Sequence, residues 1–189
     1  MARLTIFQDS ILFGSLINQT LSKKIDQVLY NEMNTNKGVF ISNEGGYQTK
    51  DIDEKDICQP IFDKSAQLIS DSYNLFNTKL GLINLWMNCN YKNNFNTIHN
   101  HPMSDFSGVY YHQVPENSGE LIFFRGDRSN QMMDIQQSIK DKDFCENYSI
   151  QPLRNQLIVF PSHLLHMVKA NMNEEARISV SFNIKIMHG

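Results

Sequence analysis

Apolar residues recur at helical spacing in two stretches near the start of the chain, and then the rhythm changes. Over residues 18–34, Leu21, Ile25, Val28 and Leu29 fall on one face of a 3.6-residue repeat, with Glu32 as the polar exception at the end. Thr20 or Ser22 can cap this helix. A second helix is expected over residues 60–78. Pro60 suits its first turn, and Ile61, Ala66, Leu68, Ile69, Tyr73 and Phe76 give it an apolar side. Gly45-Gly46 marks a turn between the two.

From Leu80 onward, short runs rich in Ile, Val, Phe and Tyr alternate with turns. They cover residues 81–88, 97–101, 108–112, 120–124, 149–151, 156–160 and 176–186. Many short strands preceded by two helices predict an α+β chain, mainly β. The expected architecture is a jelly roll with the N-terminal helices packed on a sheet. One domain is expected over residues 1–189, helical over about 15–80 and jelly roll over about 81–187. Residues 125–148 are polar and irregular, and a connection of that length is uncommon unless it has a function. Arg125, Arg128 and Lys140 within it could meet an anionic substrate or simply be solvated.

Composition narrows the function classes. The chain is 41% hydrophobic and 20% charged, ordinary for a globular protein, and its net charge of -3 gives no electrostatic reason to bind nucleic acid or an anionic membrane. No apolar run is long enough to span a bilayer, and the N-terminus lacks the apolar core of a secretion signal. Cys58, Cys89 and Cys145 are odd in number and widely spaced, which fits thiols in a reducing cytoplasm. Without a Cys-x-x-Cys pair, a structural zinc site is not expected. Oligomeric state is not legible, a homodimer being the commonest form.

The chemistry is concentrated in an ordered set: His99-Asn-His101, His166, then Arg177-Ile-Ser179. Alternate residues of a strand share a face, so an extended 98–101 segment points both imidazoles of the pair into one space. His166 follows an apolar strand that ends at the Pro161 turn. Three neutral imidazoles suit iron(II), copper, nickel or zinc. Asp105 or Glu120 could supply a carboxylate ligand instead, and His112 and His163 are further candidates. A guanidinium fork with a hydroxyl two places on can hold a carboxylate, although Arg177 could equally pair with Glu174 or Glu175 at the surface. Tyr110 and Tyr111 face opposite ways, so one is core and one can line the site. The pair leaves open which, and Tyr110 stands as the candidate. Asn88 could hydrogen-bond a bound acid or serve a turn, and Trp86 reads most simply as core.

At these residues the sequence resembles the 2-oxoglutarate- and iron(II)-dependent oxygenases. More narrowly, it is similar to an oxygenase family of bacteria and phages related to the prolyl hydroxylases. The resemblance rests on Gly45-Gly-Tyr-Gln48, Trp86-Met-Asn88, His99-Asn-His-Pro102, Ser107-Gly-Val-Tyr-Tyr111, Leu157-Ile-Val-Phe-Pro-Ser162 with His166, and Arg177-Ile-Ser-Val-Ser-Phe-Asn183. It implies a double-stranded β-helix, with His99, His101 and His166 as metal ligands. It also implies that Arg177, helped by Ser179, binds the C5 carboxylate of 2-oxoglutarate. His101 stands where most of the superfamily has Asp or Glu, so the ligand set carries one negative charge fewer. Iron(II), 2-oxoglutarate and O2 are the implied partners, with succinate and carbon dioxide released and a C–H bond hydroxylated. The substrate could be a peptide or protein residue, or a small metabolite. Two other readings remain: a cupin-type metal enzyme without 2-oxoglutarate, and a non-catalytic jelly-roll module.

Overall fold

Two antiparallel sheets face each other, and two helices cover the outer side of the larger one. A computed structural model describes residues 9–75, 78–125 and 147–187. The strands are β1 (Leu12–Ser15), β2 (Asn43–Glu44), β3 (Tyr47–Gln48), β4 (Lys79–Asn90), β5 (Phe95–His99), β6 (Phe106–Gln113), β7 (Leu121–Phe124), β8 (Asn147–Ile150), β9 (Gln156–Pro161), β10 (Leu165–Val168) and β11 (Arg177–Met187). The larger sheet has the order β1-β9-β6-β11-β4-β3, and the smaller β2-β5-β10-β7-β8. This is the jelly roll expected from the strand pattern.

Strand alternation builds two cores. On β6 and β9, Tyr110, Leu157 and Val159 face the helices with Met87, Val180 and Phe182, whereas Val109, Tyr111, Ile158 and Phe160 face Leu121, Phe123 and Ile150 of the smaller sheet. Gly108 is needed at the middle of β6. A β-carbon there would overlap the ring of Phe182, its partner across to β11, and lie 2.8 Å from the Ile158 carbonyl oxygen.

The first helix, α1 (Gln19–Thr35), buries Leu21, Ile25, Val28 and Leu29 as expected. Its cap is Asn18, whose Oδ1 accepts from the Leu21 amide at 3.0 Å, rather than Thr20 or Ser22. The second, α2 (Lys55–Tyr73), starts earlier than expected and holds Pro60 inside. The Ile57 and Cys58 amides donate to the Glu54 carbonyl, which fixes the start one turn before the proline. The helix closes at Asn74, in left-handed backbone. Phe76 lies outside the described residues, as do Cys145, Arg128, Lys140 and most of the 125–148 segment.

Four strands escaped the hydrophobic pattern: β1, the two-residue β2 and β3, and β10. β1 is a short edge strand paired to β9, and β10 follows β9 after a turn closed by the Leu164 amide on the Pro161 carbonyl. That turn carries the chain from the larger sheet to the smaller one. His166 therefore sits inside a strand, not at a strand end. Four of the asparagines, Asn74, Asn93, Asn117 and Asn155, occupy left-handed backbone, which asparagine tolerates better than most residues. Among the described residues, no helix is long and apolar enough to cross a membrane.

Candidate metal and cosubstrate site

His99 and His166 are directly opposite each other across the β5–β10 ladder. His101 lies just beyond β5, where its amide donates to the Ser162 carbonyl at 3.0 Å and holds the segment against the β9–β10 turn. One potential ligand atom from each histidine lies within 4.8 Å of the others. Ring centroids are 4.3 Å apart for His99–His166 and 5.1 Å for each of the other pairs.

The imidazoles are prepared as neutral donors. Nδ1 of His99 is 2.7 Å from the Thr97 carbonyl, and Nδ1 of His166 is 2.9 Å from the Leu164 carbonyl. A carbonyl only accepts, so each Nδ1 carries the proton and each Nε2 keeps its lone pair. Burial lowers the pKa of His99. Burial, and then the charge of His99, push His101 down to about 4 and His166 down to about 3. At neutral pH these rings are uncharged, as metal binding requires.

Other candidates fall elsewhere. Asp105 Oδ2 accepts from the Ile186 amide at 2.7 Å, and Glu120 pairs with Lys169. His112 is buried against Asp26 of α1 at 2.6 Å, and His163 is exposed beside Asp9. Among the described residues, no carboxylate joins the three-histidine group.

The same cavity reaches Arg177, which is only 1% exposed. Its Nη1 donates to the Ser118 carbonyl at 2.5 Å and, more weakly, to the Lys169 carbonyl at 3.4 Å. Among the described residues it has no ion pair; Glu174 is held by Lys92 instead. Among the described residues Arg177 is thus a buried cation without a counter-charge, and burial lowers its pKa. An uncompensated buried charge is costly, so an anion that enters here gains a prepared partner.

The β4–β11–β6 register arranges the rest of this wall. Asn88, Ser179 and Tyr111 form one cross-strand row, with Trp86, Ser181 and Val109 beside it. All six line the cavity. Asn88 Nδ2 donates to Ser181 Oγ at 3.1 Å, while its buried Oδ1 has no partner. Turned over about its last bond, the same amide would offer a donor to the cavity and accept from Ser181. Trp86 lies with its ring 5.7 Å from that of His101, so it faces the site rather than only the core.

Tyr110 requires a correction. It faces the helices, where its hydroxyl is 3.2 Å from both the Leu16 carbonyl and Asn155 Oδ1. Tyr111 is the tyrosine that lines the cavity, and its charge interaction with Arg177 marks the two as neighbours. Burial pushes Tyr111 up to about 12 against the lowering effect of Arg177, which keeps the hydroxyl a proton donor. The sequence contained no signal for Ser42, which also lines the cavity, or for the Ser118 carbonyl that accepts from Arg177. Ser181 could have been found by extending the alternation Arg177, Ser179 by one more step.

The family described as "Putative 2OG-Fe(II) oxygenase" matches residues 84–183, more than half of the chain. The chain belongs to that family. It is an iron(II)- and 2-oxoglutarate-dependent oxygenase. No curated protein matches it. Among solved structures, a prolyl-4-hydroxylase from Pseudomonas putida is 12% identical with a TM-score of 0.61, over 95% of this chain and 94% of that one. A prolyl hydroxylase from Trichoplax adhaerens, in complex with a hypoxia inducible factor peptide fragment, is 14% identical with a TM-score of 0.62, over 93% and 83%. A 2OG-Fe(II) oxygenase family oxidoreductase from Burkholderia pseudomallei is 16% identical with a TM-score of 0.50. There the likeness covers 65% of this chain and only 51% of the other. At these identities the likeness is one of fold.

Proposed function

We propose that His99, His101 and His166 hold iron(II) through their Nε2 atoms. We further propose that Arg177, Ser179 and Tyr111 hold the distal carboxylate of 2-oxoglutarate, with Asn88 as an additional donor in its turned-over form. The carrying observation is that three neutral imidazoles and one uncompensated buried guanidinium share a cavity. Each half fits its group: the imidazoles are neutral nitrogen donors that suit iron(II), and the guanidinium lacks an anion.

When bound, iron(II) and 2-oxoglutarate supply the O2 chemistry that hydroxylates a C–H bond, with release of succinate and carbon dioxide. The chain's own task is positional. The carbonyls of Thr97 and Leu164 fix two of the three rings. The β11 row orients the dicarboxylate. The aromatic walls, Trp86, Phe160 and Tyr111, limit water around the reacting atoms. No side chain is required to act as a strong base.

The substrate class we propose is a peptide or protein residue, supported by the fold shared with prolyl hydroxylases. The chain would act as one domain. Free Cys58 and Cys89 favour a reducing cytoplasm, of a host cell if the chain is phage-encoded. Assembly as a homodimer is a further proposal.

The test is release of succinate from 2-oxoglutarate with iron(II) and ascorbate, comparing wild type with His166→Ala and Arg177→Ala. Release by wild type, reduced at least about 100-fold in either variant, is expected for parts that are needed together. Equal release by all three proteins would contradict the reading.

A further inference from the structure

The cavity wall is electrically one-sided. The three histidines bring dipoles and no charge. Arg177 brings a full positive charge, buried and without a carboxylate partner among the described residues. Two acids close to it in sequence or across the sheet are paired with lysines instead, Glu120 with Lys169 and Glu174 with Lys92. A divalent cation entering this space meets no anion and shares the cavity with another cation. In such a water-poor place, like charges repel far more than they would in bulk solvent.

The cosubstrate reverses that balance. 2-Oxoglutarate is a dianion at neutral pH, and its two ends match the two unsatisfied positive centres: the metal and Arg177. Ser179 and Asn88 lie in the row between, on the wall that joins them.

We propose that the site loads its metal and its dicarboxylate as a coupled pair, the metal being held weakly until the cosubstrate brings the negative charge that the protein withholds. This rests on the assignment of the three histidines and Arg177 made above. Coupling of binding free energies is reciprocal, so the metal raises cosubstrate affinity by the same factor. Occupancy by metal then follows the supply of 2-oxoglutarate. In its absence the chain releases its metal, which makes the resting protein sensitive to chelators and the charged complex resistant.

The residue that sets the strength of the coupling is His101. An aspartate there would add one negative charge to the ligand set. It would hold the metal better alone and leave less for the cosubstrate to add. An asparagine has nearly the same shape without the charge, and it separates the two effects.

The experiment is a titration of the metal-free full chain with cobalt(II), with and without saturating 2-oxoglutarate. It is followed by the emission of Trp86, the single tryptophan of the chain, whose ring adjoins His101. Wild type, His101→Asp and His101→Asn are compared, each checked for native circular dichroism. For wild type we expect 2-oxoglutarate to tighten cobalt binding by about tenfold or more. His101→Asp should bind cobalt alone more tightly than His101→Asn, and gain less from 2-oxoglutarate than wild type does. A gain in wild type no larger than in His101→Asp, with cobalt bound in both, overturns the coupling proposal and leaves the metal site standing. No cobalt binding by wild type under either condition overturns the site assignment and the coupling with it.

Discussion

Two adjacent tyrosines show how finely a residue's role depends on which way it points. Tyr110 and Tyr111 are the same amino acid one position apart, yet one hydroxyl ties β6 to Leu16 and Asn155 while the other shares a cavity with Arg177. Removing each hydroxyl should therefore do different things. Tyr111→Phe should weaken 2-oxoglutarate binding about tenfold, the size of one hydrogen bond to a charged group, with little change in unfolding. Tyr110→Phe should cost about 1 kcal/mol in denaturant unfolding and leave cosubstrate affinity unchanged. Calorimetric titration beside a urea melt checks both, and the opposite assignment of effects would reverse the orientation of β6. At this scale the sequence was readable where side chains are rare and chemically marked. His99, His101, His166 and Arg177 could be chosen because few residue types bind metals or carboxylates. Tyr110 and Tyr111 are not separable at this level, because alternation says that neighbours differ but not which one faces in. That absolute phase is set by the packing of β6 between β9 and β11.

At the scale of elements, every strand from β4 onward except β10 was legible, and the short β1, β2 and β3 were not. β6 and β9 are buried on both faces for most of their length and read as near-continuous apolar runs, and β4 and β11 are long enough for their apolar residues to stand out. β10 has four residues, two of them His166 and Met167, and its identity as a strand comes from pairing with β5 and β7 rather than from its own pattern. The start of α2 was misplaced for a related reason. Pro60 is favoured in a first helical turn, but the apolar contacts of Ile57 and Ile61 hold a helix that begins before it. Gly108 shows the converse, a residue whose need is invisible until the sheet is assembled. Gly108→Ala should destabilise the protein by about 1–3 kcal/mol, because the methyl group meets the Phe182 ring and fixed backbone of β9. Chemical denaturation measures this, and an unchanged midpoint would show that Phe182 has room to move aside.

For the whole molecule, the two sheets and the helices divide the work. The helices and the outer face of the larger sheet form an apolar base. The inner face of that sheet carries the row of Asn88, Ser179 and Tyr111, and the smaller sheet supplies His99 and His166. The active cavity exists only because the two layers face each other, which is why its individual residues were legible in the sequence while its shape was not. The distribution of charge is also a property of the assembled molecule. A chain with a net charge of -3 builds a cavity whose only full charge, among the described residues, is positive. The proposed function requires metal and cosubstrate to meet in that cavity. The most direct measurement is a crystal structure of the chain grown with a divalent metal and 2-oxoglutarate without oxygen, with the metal located by anomalous scattering. One metal is expected within about 2.2 Å of Nε2 of His99, His101 and His166, with a carboxylate of 2-oxoglutarate paired with Arg177. A metal bound away from these three histidines, or a 2-oxoglutarate that leaves Arg177 without an anion, would contradict the proposed function.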